Sequence, residues 1–334
     1  MRKLTFLLLT SLILGECAIA QDPHFSQFFA SPLTLNPAFT GKFDGDWRFC
    51  ANHRDQWPSI PKAYVTSSAS IDFGILKSKI PHGDVFGIGL SGVTDKSAEG
   101  ALKLNYGSAS LSYHKSLDGD GYNTIGAGFQ ATYTSITLDM TKLVFEDQLR
   151  QNGFTGMTNE VLTNGNSQNY VDMNAGLLFS GSTDGKNNYY LGTSIYHINK
   201  PSVSFIDKQW NLTSRVTIHG GGTFPMTENI SLHASAIYQM QNSAHEFVLG
   251  SSLSALLNNN EEHPSNIYFG AWMRMNDAII PYMGLEFSNL RIGASYDVNT
   301  SSLKAATLGR GGTEFSLIYI HQPAEHVGIP CPRF

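Results

Sequence analysis

Three short stretches of the sequence carry residue types that perform chemistry in other proteins. The first, GIGLSG at 87–92, has the G-x-G-x-x-G spacing of a dinucleotide-binding loop. Such a loop joins a strand to a helix, but here apolar and small residues alternate through the run and no helical pattern follows it. We therefore predict that these glycines mark a bend or a close approach in the wall of a β-structure.

The other two stretches combine His with charged residues, and they are NHRDQW at 52–57 and NNNEEHPS at 258–265. The second has no further ligands at a metal-binding spacing, and the first has no nucleophile or second carboxylate beside it. We predict a solvated turn at 258–265 and a strand end with an interfacial tryptophan, Trp57. No Ser/His/Asp set occurs at a credible spacing, so no enzymatic activity, metal or cofactor is predicted.

The composition favours β-structure and argues against one class of partner. Charged residues make up only 15% of the 334 residues, against a usual share of about 25%, and there are 32 glycines. Low charge with many Gly, Tyr and Phe fits strands better than helices. The formal net charge is −5 and no basic run stands out, so a nucleic-acid partner is not expected.

The first twenty residues have the pattern of a cleaved signal peptide. Arg2 and Lys3 precede the apolar core LTFLLLTSLILG, and AIA at 18–20 is a small-residue cleavage site. A retained anchor helix is the alternative, although the apolar core is short for a span. A lipoprotein signal at Cys17 is disfavoured, since Glu16 stands where a small residue is wanted.

Strict alternation of residue type is the main evidence on the fold. In TIGAGFQATYTS at 124–135, one set of alternate positions is apolar and the other is small or polar, which is the period of a β-strand. Fourteen such segments are predicted, near 46–54, 63–73, 84–94, 103–116, 122–137, 169–181, 187–198, 212–224, 230–240, 243–256, 266–275, 277–288, 290–298 and 312–321. Their length and even number predict an all-β, transmembrane antiparallel β-barrel of about fourteen strands. A soluble sandwich or propeller is the alternative.

The alternation also assigns charged residues to the inside of the barrel. The side chains predicted to face the lumen are Asp172, Arg215, Arg274, Glu286, Arg291, Asp297 and Glu314. Because both signs occur, we predict internal pairing and not a channel selective for one charge.

The lengths of the connections predict which end of the barrel faces outward. Turns of such barrels are short on the periplasmic side and loops are long on the outer side. With a periplasmic N-terminus, the long connections 138–168, 199–211 and 299–311 all fall on the outer side, although a few turns break the rule. The bacterial outer membrane, with the N-terminus periplasmic, is the predicted location.

The stretch DPHFSQFFASPLTLNPAFTG at 22–41 is too aromatic for a loose linker and too rich in proline for a strand. A short helix is predicted, capped by Asp22 and ended at Ser31-Pro32, with Phe25, Phe28 and Phe29 on one face. Such a face does not stay in water, so the helix either plugs the periplasmic mouth of its own barrel or docks on a partner.

Several marks, in order and spacing, resemble the PorP/SprF family. They are the stretch at 22–41, NHRDQW, YDVNTSSL at 296–303, GGTEFSLIY at 311–319 and the final CPRF. The resemblance implies an outer-membrane protein of the type IX secretion system that helps export or anchor large surface proteins, such as gliding adhesins. It also implies binding to the C-terminal sorting domains of cargo and association with periplasmic or peptidoglycan-linked components. No catalysis and no cofactor are implied.

The predicted organisation has four parts: a signal peptide at 1–20, a periplasmic or plug segment at 21–45, a barrel in outer-membrane lipid at 46–321 and a tail at 322–334. A porin-like channel for small solutes is the alternative function. The candidate partner-binding residues are Phe25, Phe28, Phe29, Trp57, Phe145, Phe154, Phe205 and Trp210, although the long connections carrying the last four equally well fold inward and cap the lumen.

The two cysteines of the mature chain, Cys50 and Cys331, follow from the same topology. Cys50 lies in the first predicted strand and Cys331 in the tail after the last one. Those strands are neighbours in a closed barrel, so a disulfide is possible if the backbones approach closely. Two unpaired thiols are the alternative.

Overall fold

The computed structural model describes residues 22–60, 63–76, 81, 83–119, 121–205, 209–258 and 265–322. The strands are β1 (Trp47–Gln56), β2 (Tyr64–Ile75), β3 (Val85–Ser97), β4 (Leu102–Ser116), β5 (Thr124–Leu138), β6 (Leu149–Arg150), β7 (Gly153–Phe154), β8 (Ser167–Ser182), β9 (Asn188–Tyr196), β10 (Ser202–Val203), β11 (Trp210–Asn211), β12 (Arg215–Pro225), β13 (Ile230–Gln241), β14 (Ala244–Asn258), β15 (Ser265–Arg274), β16 (Ala278–Phe287), β17 (Leu290–Asn299) and β18 (Arg310–His321). Short helices lie at Phe28–Ala30, Pro32–Leu35, Pro37–Phe39, Ala98–Gly100, Met140–Lys142, Glu146–Gln148 and Lys304–Thr307. Within these described ranges, no helix is long and apolar enough to cross a membrane.

Fourteen of these strands close into one antiparallel barrel, while β6–β7 and β10–β11 form two small hairpins outside its wall. The barrel closes because β1 pairs with β2 on one side and with β18 on the other. Cys50 lies opposite Ser70 and Ile318 in these two pairings. Closure leaves no open sheet edge. A β-sheet in lipid requires this, because unpaired backbone N–H and C=O groups cannot bond to water there. The predicted fold class is confirmed, and each of the fourteen predicted segments overlaps one barrel strand.

The apolar faces of the strands point outward. On β5, Ile125, Phe129 and Tyr133 are exposed, whereas Thr124 and Gln130 are buried in the lumen. A soluble sandwich buries its apolar faces between two sheets, so this arrangement makes the sandwich alternative wrong. An apolar exterior around a polar interior is the pattern of a barrel in lipid.

The two ends of the barrel differ in the length of their connections. The connections 139–166, 197–214 and 300–309 lie at one end, which we call the long-connection end. The turns 117–123, 183–187, 226–229 and 288–289 lie at the opposite, short-turn end. The three predicted long connections therefore share one end of the barrel, as the parity argument requires.

Residues 22–46, here called the plug, run through the lumen from one end to the other. At the long-connection end, the Asp22 backbone N–H donates to the Gln241 side chain (3.0 Å). At the short-turn end, the Asp46 N–H donates to the carbonyl of His321 (2.9 Å). The two predictions about orientation therefore conflict for the described residues. If the long connections face outward, residue 22 lies at the outer end of the barrel and not at its periplasmic end.

The predicted helix over the first part of the plug is wrong. Residues 22–27 are not helical, and the Ser26 and Gln27 N–H groups donate to the carboxylate of Glu314 on the barrel wall (2.7 and 3.0 Å). Pro32 begins a helix instead of ending one, because the first helical position needs no N–H and favours the φ of proline. Asn36 then caps the turn Pro37–Phe39 by accepting from the Ala38 N–H (2.8 Å).

Candidate functional site

The plug is held to the wall near the long-connection end by a buried group of charges, here called the Asp297 cluster. The carboxylate of Asp297 accepts from Arg54 and Arg274, both at 3.0 Å, and from the Ser26 hydroxyl at 2.9 Å. Glu314 lies beside it and receives the two plug N–H groups described above. All five side chains are buried. Each charge is therefore balanced by a neighbour, as burial of ions in a protein interior requires.

A second charged group fixes the start of the plug. Asp22 contacts the imidazole of His197 at 2.7 Å and the guanidinium of Arg215 at 3.4 Å. His197 also contacts Asp172 at 2.9 Å. Burial alone would lower the pKa of His197, but the carboxylates of Asp22 and Asp172 raise it to about 9. Burial alone would raise the pKa of Asp22, but Arg215 and His197 hold it below its usual range. Asp22 and His197 are therefore both charged at neutral pH and form an ion pair.

One buried ion pair holds the short-turn half of the plug, and aromatic contacts of Phe29 hold the half that is nearer the long-connection end. Arg48 pairs with Asp72 at 2.9 Å, and that carboxylate accepts from the Gly41 N–H at 2.7 Å. The ring of Phe29 packs 4.8 Å from Trp272 and 5.4 Å from Tyr282, measured between centroids. Aromatic pairs of this kind add roughly 0.5–1.5 kcal/mol beyond simple burial.

Glycines of the wall give the plug its space. A Cβ at Gly87 would collide with the carbonyl of Thr40, and one at Gly89 would lie 3.1 Å from Leu33. The GIGLSG run is thus a place of close backbone approach, as predicted, and not a nucleotide loop. A Cβ at Gly128 would collide with the backbone of Pro37 and Ala38. The missing side chains of these wall glycines therefore leave the space that the plug occupies.

Replacing one of these glycines is expected to loosen the plug. Gly128→Val forces side-chain atoms into the Pro37–Ala38 backbone, and overpacking of this kind costs ~1–3 kcal/mol. The thiol of Cys50, buried against Ala30 of the plug, reports the opening. In a Cys331→Ser background, we expect a polar maleimide to modify Cys50 about tenfold faster in Gly128→Val, since ~1.4 kcal/mol is a tenfold change in population.

Gly107→Val is the matched control for this experiment. A Cβ at Gly107 meets nothing within 4 Å, so this variant should leave the rate of Cys50 modification unchanged. Equal rates for wild type and Gly128→Val, with both barrels folded, would mean that the wall does not need Gly128 to accept the plug.

The prediction of lumen charges is confirmed. All seven predicted side chains face the lumen, and each makes an ion pair there. Other buried charges of the lumen were not predicted. Arg48, Arg54 and Asp72 occupy inward positions of β1 and β2, and extending the alternation rule to these strands would have found them.

The predicted partner-binding residues do not form one site. Phe25 and Phe28 are buried in the lumen and Phe29 is half-buried there, so these rings contact their own barrel. Trp57 follows β1 at the long-connection end and packs on Tyr64 (5.5 Å between ring centroids).

The other four predicted residues all lie on the long connections. Phe145 and Phe205 are half-buried, whereas Phe154 is 58% exposed and Trp210 is 57% exposed. Phe154 and Trp210 are therefore the two that a partner can reach directly in this arrangement.

Two further sequence-based statements concern the cysteines and metals. Cys50 points into the lumen, but Cys331 lies outside the described residues, so their disulfide stays a prediction. In the part of the chain that the structure describes, no group of three or more His, Cys, Asp or Glu side chains is placed to hold a metal ion.

Comparison with known proteins places the barrel in a family. A family model described as type IX secretion system membrane protein PorP/SprF matches residues 18–319. This chain belongs to the PorP/SprF family. The match spans the plug and nearly the whole barrel, so the protein is a type IX secretion system membrane protein with an outer-membrane β-barrel fold. No curated protein matches the sequence.

Solved structures similar to this PorP/SprF chain are distant. The CymD monoaromatic hydrocarbon channel is 10% identical, with 89% of this chain and 94% of that chain covered and a TM-score of 0.48. The Ralstonia pickettii toluene transporter TbuX is 10% identical, with 86% and 91% covered and a TM-score of 0.45. The KdgM porin in complex with disordered oligogalacturonate is 9% identical, with 81% and 98% covered and a TM-score of 0.39.

Proposed function

We propose that this PorP/SprF protein assists the export or cell-surface anchoring of large surface proteins by binding their C-terminal sorting domains. The observation that carries the proposal is the exposed apolar surface of the long connections. We propose that the long-connection end faces outward and receives the cargo, and that no catalysis takes place there.

The apolar surface spans two connections that touch each other. The Asn164 N–H donates to the carbonyl of Phe205 (3.3 Å), and the Asn164 side chain donates to Ser204 (2.9 Å). Among the described residues of these connections, the exposed large apolar side chains are Val144, Leu149, Phe154, Met157, Val161, Ile198 and Trp210. Apolar groups gathered in water in this way favour association with another protein. Exposed aromatic residues are the usual anchors of such an interface.

The filled lumen supports a binding role over a porin-like channel. The plug spans the barrel and is tied by buried charges near both of its ends. A route for small solutes needs a continuous polar path, which the plug interrupts. A protein that acts as a closed barrel binds partners on its outer surfaces, and the connection 139–166 is the longest of those outside the wall.

The opposite end offers a separate surface for periplasmic components. Its short turns are rigid, since Asp118 accepts from the Asn123 backbone and side chain, and Asp184 accepts from two backbone N–H groups. Rigid exposed turns lower the entropic cost of docking. We propose that periplasmic or peptidoglycan-linked components of the secretion system meet the barrel here.

Removing residues 143–165 tests the proposed cargo surface. We expect the barrel to insert normally and surface retention of cargo to fall at least about tenfold, since the deletion removes several apolar anchors. A Phe154→Ala/Trp210→Ala double variant should show the same direction with a smaller loss. The measurement is the amount of cargo on intact cells, normalised to the amount of barrel.

Phe224→Ala is the matched control, because Phe224 is also exposed but lies at the short-turn end. It should leave cargo retention unchanged. Normal display in the 143–165 deletion strain would place the cargo site elsewhere on the protein.

A further inference from the structure

Three lysines gather on the outer wall at the long-connection end. Lys96 on β3 and Lys103 on β4 are direct cross-strand partners, and their side chains point away from the lumen. Lys142 approaches them from the following connection. A Cβ at Gly100 would lie 3.4 Å from its ammonium and 3.8 Å from the Cε of Lys103.

The position of these lysines along the strands matches the level of lipid headgroups. Lys115 and Lys103 lie on the same outward face of β4, at opposite ends of the strand. At ~3.3 Å per residue and a tilt of ~40°, the chain between them rises about 30 Å along the membrane normal. That height is close to the thickness of a hydrocarbon core. Lys103 and Lys96 therefore lie where the headgroups of the leaflet at the long-connection end begin.

Below the lysines, the outer wall is first polar and then flat and apolar. A lipid has the same order, with a polar headgroup followed by acyl chains. Thr94 and Asn105 form the next outward pair and offer a hydroxyl and an amide. Gly92 and Gly107 form the pair below them, and a Cβ at Gly107 would meet nothing within 4 Å. Tyr133, on the adjacent strand opposite Gly107, is 58% exposed and borders this flat surface.

The positive charges are only partly balanced by the protein itself. Like charges directly opposite on neighbouring strands repel each other. Among the described residues, the side chains of Lys96 and Lys103 make no hydrogen bond and no ion pair, and the Lys142 ammonium donates to the Glu99 carbonyl (3.2 Å). The carboxylate of Asp139 lies nearby: a hydrogen bond from Thr141, followed by Lys142 and Lys103, lowers its pKa. An exposed Glu99 side chain is the other acidic group at this rim.

We propose that Lys96, Lys103 and Lys142 bind the phosphate of a phosphorylated lipid in the leaflet at the long-connection end. The ammonium groups contact the phosphate, and Thr94 and Asn105 bind the polar part that follows it. An acyl chain lies along Gly92 and Gly107 beside the Tyr133 ring. Clustered lysines at a membrane surface each favour anionic headgroups, and the flat wall beneath selects a lipid over a free anion.

Native mass spectrometry of the full mature protein in detergent tests the site, with bisphosphorylated lipid A as the probe. We expect one tightly retained lipid and at least about tenfold weaker binding in the Lys96→Gln/Lys103→Gln/Lys142→Gln variant. Gly107→Leu, which fills the flat surface, should weaken binding without removing a charge. Lys115→Gln/Lys186→Gln, at the short-turn end, should bind as the wild type does.

Three outcomes would overturn the proposal. Equal binding by the triple variant would remove the lysines from the site. Equal retention of a lipid A without phosphates would show that the phosphate is not recognised. Displacement of the lipid by inorganic phosphate at a similar concentration would assign the site to a free anion. Heat-dependent migration on gels confirms in each case that the variant is folded.

Discussion

Deletion of residues 22–41 is expected to convert a closed barrel, which conducts little current, into an open pore. Fourteen strands enclose more space than their own inward side chains fill, since eight-stranded barrels are nearly filled and those of sixteen or more hold an aqueous channel. The plug occupies that space along the whole lumen. We expect the current through planar bilayers to rise at least about tenfold, because the deletion leaves a polar lumen open to water.

A deletion of equal length in the long connection, 143–162, is the matched control. It removes twenty residues as well, but it leaves the plug and its contacts in place. Cells carrying the plug deletion should also become sensitive to hydrophilic antibiotics too large for small-solute pores, whereas control cells should not. A folded barrel without residues 22–41 that stays closed would show that something other than the plug fills the lumen.

Asp297→Ala is expected to cause the largest loss of stability among single substitutions in the lumen. The Asp297 carboxylate balances Arg54 and Arg274 and accepts from Ser26 of the plug. Its removal leaves the buried Arg54 guanidinium with Glu314 at 3.9 Å as its remaining carboxylate, whereas Arg274 keeps Glu246 at 3.3 Å and Asp277 at 3.0 Å. Breaking a buried pair in this way costs ~3–5 kcal/mol.

The free energy of unfolding, measured by urea titration of the refolded barrel, checks this expectation. Asp297→Asn should lose less, because the amide still accepts a hydrogen bond. Glu160→Ala removes an exposed carboxylate from a long connection and should change stability little. A loss below ~1 kcal/mol for Asp297→Ala would mean that water or rearranged side chains replace the carboxylate.

The sequence was sufficient for the barrel because its signals are local. The alternation of residue type repeats every two positions. The lipid face and the lumen face of each strand can therefore be predicted from the residues of that strand alone. The same rule placed Asp172, Arg274 and Glu314 inside before their partners were known. The low charge on the outward face followed from the need to avoid ions in lipid.

The plug was only half predictable from sequence. The aromatic residues of 22–41 indicated a segment that must be buried, and Phe28 and Phe29 are indeed covered. Its conformation was predicted wrongly because the helix argument considered only neighbouring residues. The Ser26 and Gln27 N–H groups bond instead to Glu314, which lies almost three hundred positions away in the chain.

The sequence by itself determined the fold class, the strand number and the presence of charges of both signs in the lumen. Only the tertiary structure decided the direction of the plug, the pairing of Asp297 with Arg54 and Arg274, and the fit of Gly128 to the Pro37–Ala38 backbone. The physical reason is that closure of the barrel brings β1 and β18 together and sets every lumen distance at once. A local pattern tells which way a side chain points, but contacts across a closed lumen depend on the register of all fourteen strands.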